Sequence, residues 1–343
     1  AHPGDQEVRV LTADVLKADG TVQRARTGRG GSRGGLWVDL PPLEAGDVVD
    51  LEYRLDDLRT TFFGNYFGMN EALSPDPSLP VYESEVVLTA PPELPLAFHE
   101  RNFGGVHEEK ALESGGRRHS WRRERIAPLR KESLMPPAPE TAPVVQASSF
   151  ASWEAFGRWW WHLIEGEIRV SPEMAAKVAE LTAGARSPLE KLRAVYDFVV
   201  TDIRYNAWEF GVHGYQPYSA PVIFSRGFGY CKAEAVLLRA MLSEVGIEAY
   251  PVLIRAEPRR FEEDHTLALV EHFNHCIAYV PEQEGLEAQF LDGTARHHPL
   301  EVLPVSDNGA RVVVVRPAGV EEQRIGFPPA EENVRRQHYR VVF

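Results

Sequence analysis

Cysteine is scarce in this chain: 343 residues contain two, Cys231 and Cys276. Two cysteines build no disulfide framework and leave the redox compartment open. Long apolar runs are missing as well. No stretch approaches the roughly 18–20 residues of a membrane span. Positive charge is in deficit, with 37 Lys and Arg against 50 Asp and Glu, a net charge of −13. That balance argues against a nucleic-acid surface and says little beyond solubility. Nothing basic and then apolar precedes Ala1-His2-Pro3-Gly4, so no signal peptide is visible, and the piece is expected to be a mature or excised fragment. No internal repeat or low-complexity tract stands out.

What is present is length and apolar content. With 343 residues and 43% hydrophobic side chains the chain can fill sizeable cores and is expected to form two or three domains. Residues 1–132 read as β-rich. Glu7–Leu16, Leu36–Leu40, Asp47–Leu55, Ser84–Ala90 and His119–Ile126 alternate or cluster β-formers, with Ala18-Asp19-Gly20 as a hairpin turn. Short strands divided by Gly and Pro suggest an antiparallel sandwich. The aromatics of Thr61-Phe-Phe-Gly-Asn-Tyr66-Phe-Gly would cover a sheet face or line a domain junction. Arg117–Lys131 is basic but alternates with Trp121 and Ile126, as a strand with a solvated face does. Residues 133–149 are Pro-rich, and the expectation is a stiff extended linker.

Helical spacing begins near Ser152, with Trp153, Phe156, Trp160 and Leu163 or Ile164 in phase. Three consecutive tryptophans, Trp159–Trp161, cannot all point inward. Packing against the β-rich region is the plainer expectation, and a hydrophobic rim for substrate the alternative. A second helix follows Ser171-Pro172, with Ala175, Val178 and Leu181 as its stripe. Ser187-Pro188-Leu189-Glu190 is a capping box with Pro at the first helical position. Leu192, Val195, Tyr196, Val199 and Ile203 would form the buried face of that helix. Strands are expected at Ala249–Arg255, Phe273–Val280, Ala288–Leu291 and 311–315, with a polar loop over 256–270. The tail from Asn333 to Phe343 reads as the start of a further strand.

Chemistry concentrates in Arg226-Gly-Phe-Gly-Tyr-Cys231-Lys-Ala-Glu-Ala-Val-Leu-Leu. A Gly-containing turn ends at Cys231, and an apolar helix starts there, running to about Val245 with Gly246 beyond its end. A helix N-terminus offers unpaired N–H groups and partial positive charge, which favour a thiolate. His275 follows in an apolar alternating run, and Asp292 in Leu291-Asp-Gly-Thr294. A nucleophile on a helix, a base on a strand and an orienting carboxylate at the end of the next strand form an ordered set. The Cys231 N–H is an oxyanion donor by position, and Tyr205 and Trp208 are candidates for the second. Cys276 neighbours His275 on a strand, so it points to the opposite face and into core. His265, His272, His297 and His298 compete as base, but their polar surroundings suggest solvated or supporting roles. Asp307 competes as orienter, although its turn-like neighbours Ser306, Asn308 and Gly309 weigh against it. His272 and His275 lack the second ligand pair of a zinc site. Glu262, Glu263 and Asp264 read as a solvated charged loop rather than a calcium site.

At Gly229-Tyr230-Cys231-Lys232, the His275 strand and the Leu-Asp-Gly-Thr segment the chain resembles the transglutaminase-like superfamily of papain-fold cysteine enzymes. The likeness covers about residues 150–305. The upstream part is similar to the β-rich bacterial domain of unknown function (DUF3857) that often precedes such a core. The resemblance implies an α+β fold: an N-terminal antiparallel β-sandwich at 1–132, a linker at 133–149 and a catalytic core at 150–305. The core would hold its nucleophile at a helix N-terminus packed on an antiparallel sheet. Residues 306–343 would begin a truncated C-terminal β segment. It also implies cofactor-free acyl-thioester chemistry on protein or peptide amides by Cys231, His275 and Asp292, as transferase or protease. A non-catalytic scaffold of the same fold, and a protein partner for the β domain, are the alternatives to carry forward. Relatives with this domain pair are often exported, so a periplasmic or extracellular setting is implied. Many relatives carry Asp where this chain has Tyr230, so substrate contacts are expected to differ.

Overall fold

The computed structural model describes residues 6–30, 35–57, 66–74, 76–130, 132–207, 211–331 and 334–342. It divides into two compact units, residues 1–64 and 65–343.

The first unit is all β. Strands β1 (Gln6–Leu16), β2 (Val22–Arg24), β3 (Arg26–Gly30), β4 (Gly35–Asp39) and β5 (Val48–Asp57) form a sheet ordered β2-β1-β5 and a separate β3-β4 hairpin. The Ala18-Asp19-Gly20 turn is where the sequence places it. Gly20 takes φ +86°, and Asp19 Oδ1 accepts from Thr21 N at 2.9 Å and Thr21 Oγ1 at 2.7 Å. Only glycine adopts such a φ without strain.

In the second unit β6 (Gly68–Ala72), β7 (Val81–Ala90), β8 (Ala97–Arg101), β9 (Val106–Ala111) and β10 (Arg117–Ile126) are followed by a helical turn α1 (Ala138–Thr141) and by β11 (Val144–Ser148). They make two antiparallel sheets, β7-β10-β9 and β6-β11-β8. Trp121, Phe103, Leu73, Ile126 and Val145 are buried between them, with Val86 and Phe98 alongside. A sandwich was expected over residues 1–132; these two sheets lie within residues 68–148, residues 1–64 belong to the first unit, and the central strand β11 lies in the segment read as a linker. Proline marks the stretch before it, yet Val144–Ser148 is a run of five buried residues paired on both edges. Asn102 Nδ2 also donates to Glu140 O at 2.7 Å. Apolar content overrode the proline signal here.

The core follows with α2 (Trp153–Ile164), α3 (Pro172–Thr182), α4 (Pro188–Asp202), β12 (Arg204–Tyr205), α5 (Ala220–Arg226), β13 (Phe228–Gly229), α6 (Cys231–Ser243), β14 (Tyr250–Ile254), β15 (His275–Val280), β16 (Gln289–Leu291), β17 (Arg311–Arg316) and β18 (Gly319–Arg324). Ser152, Ser171 and Ser187 cap α2, α3 and α4, accepting from Ala155, Met174 and Glu190 N–H groups at 3.2, 3.3 and 3.2 Å. The return bond of the expected capping box is displaced, since the Glu190 carboxylate takes Arg186 N rather than the cap's own N–H. On α3 the buried pair is Met174 and Val178, with Leu181 only half-buried. The α4 stripe is buried throughout as expected, and Ile164 rather than Leu163 completes that of α2.

The core sheet is antiparallel in the order β16-β15-β14-β17-β18. Strands β17 and β18 therefore belong to the core rather than to a further β domain, and the described tail residues 334–342 form no strand. On one face Leu253, Cys276, Ala278, Val280, Val313 and Val315 meet the helices. On the other Val252, Ile254, Ile277, Tyr279, Val312 and Val314 meet Ala310 and Ile325. Period-two alternation thus buries both faces. Trp160 is buried, whereas Trp159 is half-buried and packs on Tyr66 with ring centroids 5.6 Å apart. The tryptophan run therefore does join helix to β-rich region.

Helix α2 crosses β18 through Gly157, where an added Cβ would lie 2.4 Å from Val320 Cγ1 and 2.6 Å from the Gly319 carbonyl carbon. Alanine favours a helix over glycine by about 1 kcal/mol, but overpacking typically costs about 1–3 kcal/mol. Gly157→Ala should therefore lower the thermal unfolding midpoint. An unchanged or raised midpoint would show that the crossing has slack.

Candidate active site

The position of Cys231 is built by the chain before it. Gly227 ends α5 with φ +66°, and its N–H bonds Ile223 O at 3.0 Å. The chain then runs as β13, parallel to β12, with Tyr205 opposite Gly229. Tyr230 is the N-cap of α6 and offers no side-chain cap. Its buried hydroxyl donates instead to Gln216 O at 3.1 Å. Tyr230 thus ties the helix start to the 211–219 segment. Cys231 opens the helix and is 3% exposed. As the first residue of the helix, Cys231 sits where the helix dipole favours negative charge.

Strand register brings His275 and Asp292 together. In the β15–β16 ladder Val280, Tyr279 and Ala278 face Gln289, Phe290 and Leu291. Continued by one residue, that register sets Asp292 across from Ile277, and His275 lies two residues along on the same face. The contact is made: His275 Nε2 and Asp292 Oδ2 are 3.2 Å apart. His275 also hydrogen-bonds the Cys231 side chain. Because Nε2 faces Asp292, Nδ1 is the ring nitrogen left for sulfur. Thr294 fixes the carboxylate, donating to Asp292 Oδ1 from its N–H at 2.8 Å and its hydroxyl at 2.7 Å. Gly293 lets this turn press on α6, since an added Cβ would lie 3.0 Å from Leu238 Cδ1.

Burial opposes a charge on His275, but hydrogen bonds to Asp292 and Cys231 and their negative charges outweigh it and hold the imidazole up at about 10. Asp292 is affected in the converse way. Burial would raise its pKa, and the bonds from His275 and Thr294 keep it below the ordinary carboxylate value. The pair is therefore an imidazolium facing a carboxylate at neutral pH.

Cys276 is buried in the core cluster that includes α6, as the strand alternation requires. Tyr205 is 45% exposed on β12, beside the approach to Cys231, and Trp208 lies outside the described residues. His265 and His272 are not solvated: both are buried, and burial pushes each down to about 4. Their polar neighbours in sequence hid the Trp153 and Phe273 rings that surround them. Glu262, Glu263 and Asp264 pair with Arg324, Arg260 and His99 at 2.8, 2.9 and 2.8 Å.

Two further acids lie close by, Asp307, which its turn-like neighbours weighed against, and Glu234, which the sequence reading passed over. Asp307 is buried, and ligand-type atoms of His275, Asp292 and Asp307 lie within 4.8 Å of one another. Its turn composition is real, but the turn folds inward. His275 Nε2 and Asp292 Oδ2 are already bonded to each other, so the grouping reads as a hydrogen-bonded network. Glu234, one helical turn past Cys231, is fully buried with neither carboxyl oxygen hydrogen-bonded. A carboxyl in a helix apolar on most sides was its only sequence signal. Burial, with Asp292 adding to it, raises Glu234 to about 8.

A cleft of about 380 Å³ opens at His275, lined also by Trp160, Tyr215, Lys232, Phe273 and Asn274 among others.

Glu234 is ionised in the unfolded chain near pH 7 and must take up a proton on folding. Its destabilising effect is absent below about pH 4 and grows as pH rises toward 8. Glu234→Gln should match the parent in urea unfolding at pH 4 and exceed it by on the order of a few kcal/mol at pH 8. Equal stabilities at both pH values would contradict this burial.

Two stretches of the chain match family models. Residues 35–130 match the domain of unknown function DUF3857 and residues 175–284 the transglutaminase-like superfamily. No curated protein matches the sequence. A structure described as a "putative protease" from Parabacteroides distasonis is similar at 19% identity and TM-score 0.74, over 96% of this chain. This chain spans 63% of that protein's length. A structure described as a "putative cysteine protease" from Cytophaga hutchinsonii aligns over 77% of this chain and 86% of its own, at 13% identity and TM-score 0.31. The first shows a shared fold, and the second is too distant to add to it. The chain thus carries a stretch similar to DUF3857 ahead of a stretch similar to the transglutaminase-like superfamily, and the second stretch includes Cys231 and His275.

Proposed function

We propose that the chain is a cysteine acyl-transfer enzyme acting on amide bonds of proteins or peptides. The observation that carries this reading is the single hydrogen-bonded line from Asp292 through His275 to Cys231 at a helix N-terminus. The adjoining cleft, with Trp160 and Phe273 in its wall, has room for a side chain and its flanking backbone.

In this reading the Cys231 sulfur attacks the amide carbonyl carbon while the Cys231 N–H receives the developing oxyanion. The C–N bond breaks, and His275 gives its proton to the departing amine, leaving an acyl thioester. Water or a second amine then attacks the thioester carbonyl and yields its proton to His275, and sulfur departs as thiolate. Asp292 holds the ring in place and balances the imidazolium throughout. Water gives a protease or amidase, an amine gives a transferase, and acylation is common to both.

A second reading is a scaffold that keeps the fold without turnover, and the 3% exposure of Cys231 is the observation in its favour. Acid-quenched peptide mass spectrometry separates the two. Incubation with peptide aryl amides should leave an acyl adduct on Cys231 that Cys231→Ser lacks. His275→Ala should slow its formation by on the order of 100-fold or more. Activity should fall as pH rises through about 10, where His275 loses the proton the leaving amine needs. An added primary amine appearing in the product assigns transfer, and free acid assigns hydrolysis. No adduct from any peptide would leave the scaffold reading in possession.

A further inference from the structure

Asp307 lies on the loop that leads from β16 to β17 and is 0% exposed. Ser306 Oγ donates to its Oδ1 at 3.1 Å. Its Oδ2 is buried without any hydrogen-bond partner. Asp292 and His275 both lie in the cluster whose ligand-type atoms fall within 4.8 Å of one another, and His275 Nε2 is already bonded to Asp292 Oδ2. Two adjoining buried carboxylates cannot both stay ionised cheaply. A proton on Oδ2 removes the repulsion and gives the orphaned oxygen a charge-assisted bond to make.

We infer that Asp307 is a positioning residue for the triad: as a neutral acid it donates from Oδ2 to Asp292 and holds that carboxylate against His275, and when ionised it sets a second negative charge against the imidazolium. This rests on the reading of Cys231, His275 and Asp292 as a working unit.

Charged groups reach Asp307 from each side of its setting. His275 comes from β15 and Asp292 from the end of β16. Arg260, on the loop before β15, donates to Ser306 O at 2.9 Å and is itself paired with Glu263 at 2.9 Å. Burial, then the Asp292 charge, pushes Asp307 up to about 6, with the His275 charge and the Ser306 bond pulling the other way. Below that pH the acid is neutral and the clamp is closed. Above it the added charge holds the His275 proton more tightly, which slows its delivery to a leaving amine.

Asp307→Asn keeps a donor toward Asp292 and an acceptor for Ser306 but cannot ionise. Asp307→Leu keeps neither. The direct test is NMR of the folded protein with ¹³C-labelled aspartate carboxyls, the Asp307 resonance being identified by its loss in Asp307→Asn. A titration near pH 6, with a step in the His275 ring resonances over the same range that Asp307→Asn abolishes, is the expected result. An Asp307 carboxyl that titrates below pH 4, with no such step, would overturn the proposal.

Acylation rates at pH 5 supply the second arm. Asp307→Asn should stay within about threefold of the parent, and Asp307→Leu should lose at least about tenfold in kcat with KM within about twofold. Equal impairment of the two would also overturn it. An absent acyl-enzyme in the parent protein would sink the enzymatic reading, while the NMR titration would still decide the role of Asp307.

Discussion

The buried hydrogen bond between His275 and Asp292 is the constraint to which the rest of the core is fitted. A charged imidazole removed from water is expensive unless its partner is near and well aligned. The partner here is 3.2 Å away and is itself held by two bonds from Thr294. Strand register sets the carboxylate on the histidine's face, Gly293 lets its turn approach α6, and the Gly227 turn aims the helix at the ring. Each feature is ordinary alone. Together they place sulfur, imidazole and carboxylate in one line.

The same burial gathers more acid than one cation can balance. Asp292, Asp307 and Glu234 all crowd His275, and two of them are driven toward the neutral form. Such a cluster lowers stability near neutral pH, and functional sites are where proteins tolerate perturbed groups of this kind. The conflict is local, since the surrounding sheet is apolar on both faces.

Much of this was legible in the chain. Period-two runs located most strands, Ser-Pro caps located helices, and Cys231, His275 and Asp292 stood out because each sits at an element boundary beside an apolar run. What failed, failed for physical reasons. Val144–Ser148 was masked by the prolines before it, though its own residues are strand formers buried as a central strand. Residues 306–343 looked like the start of a C-terminal β segment because sequence order does not reveal that β17 pairs with β14. His265 and His272 were judged by their polar neighbours in sequence, when the Trp153 ring, distant in the chain, packs on both. Asp307 was discounted on turn chemistry, which describes its backbone correctly and says nothing of where the turn is buried. The departure at Tyr230 was visible, but its bond to Gln216 needed the structure.

Alkylation of the folded protein by iodoacetamide, with Cys231 and Cys276 followed separately by peptide mass spectrometry, probes the central pair without any choice of substrate. The account predicts fast labelling of Cys231 near neutral pH, a slow Cys276, and a marked loss of the Cys231 rate in His275→Ala. Cys231 and Cys276 labelling equally slowly, with His275→Ala making no difference, would contradict it.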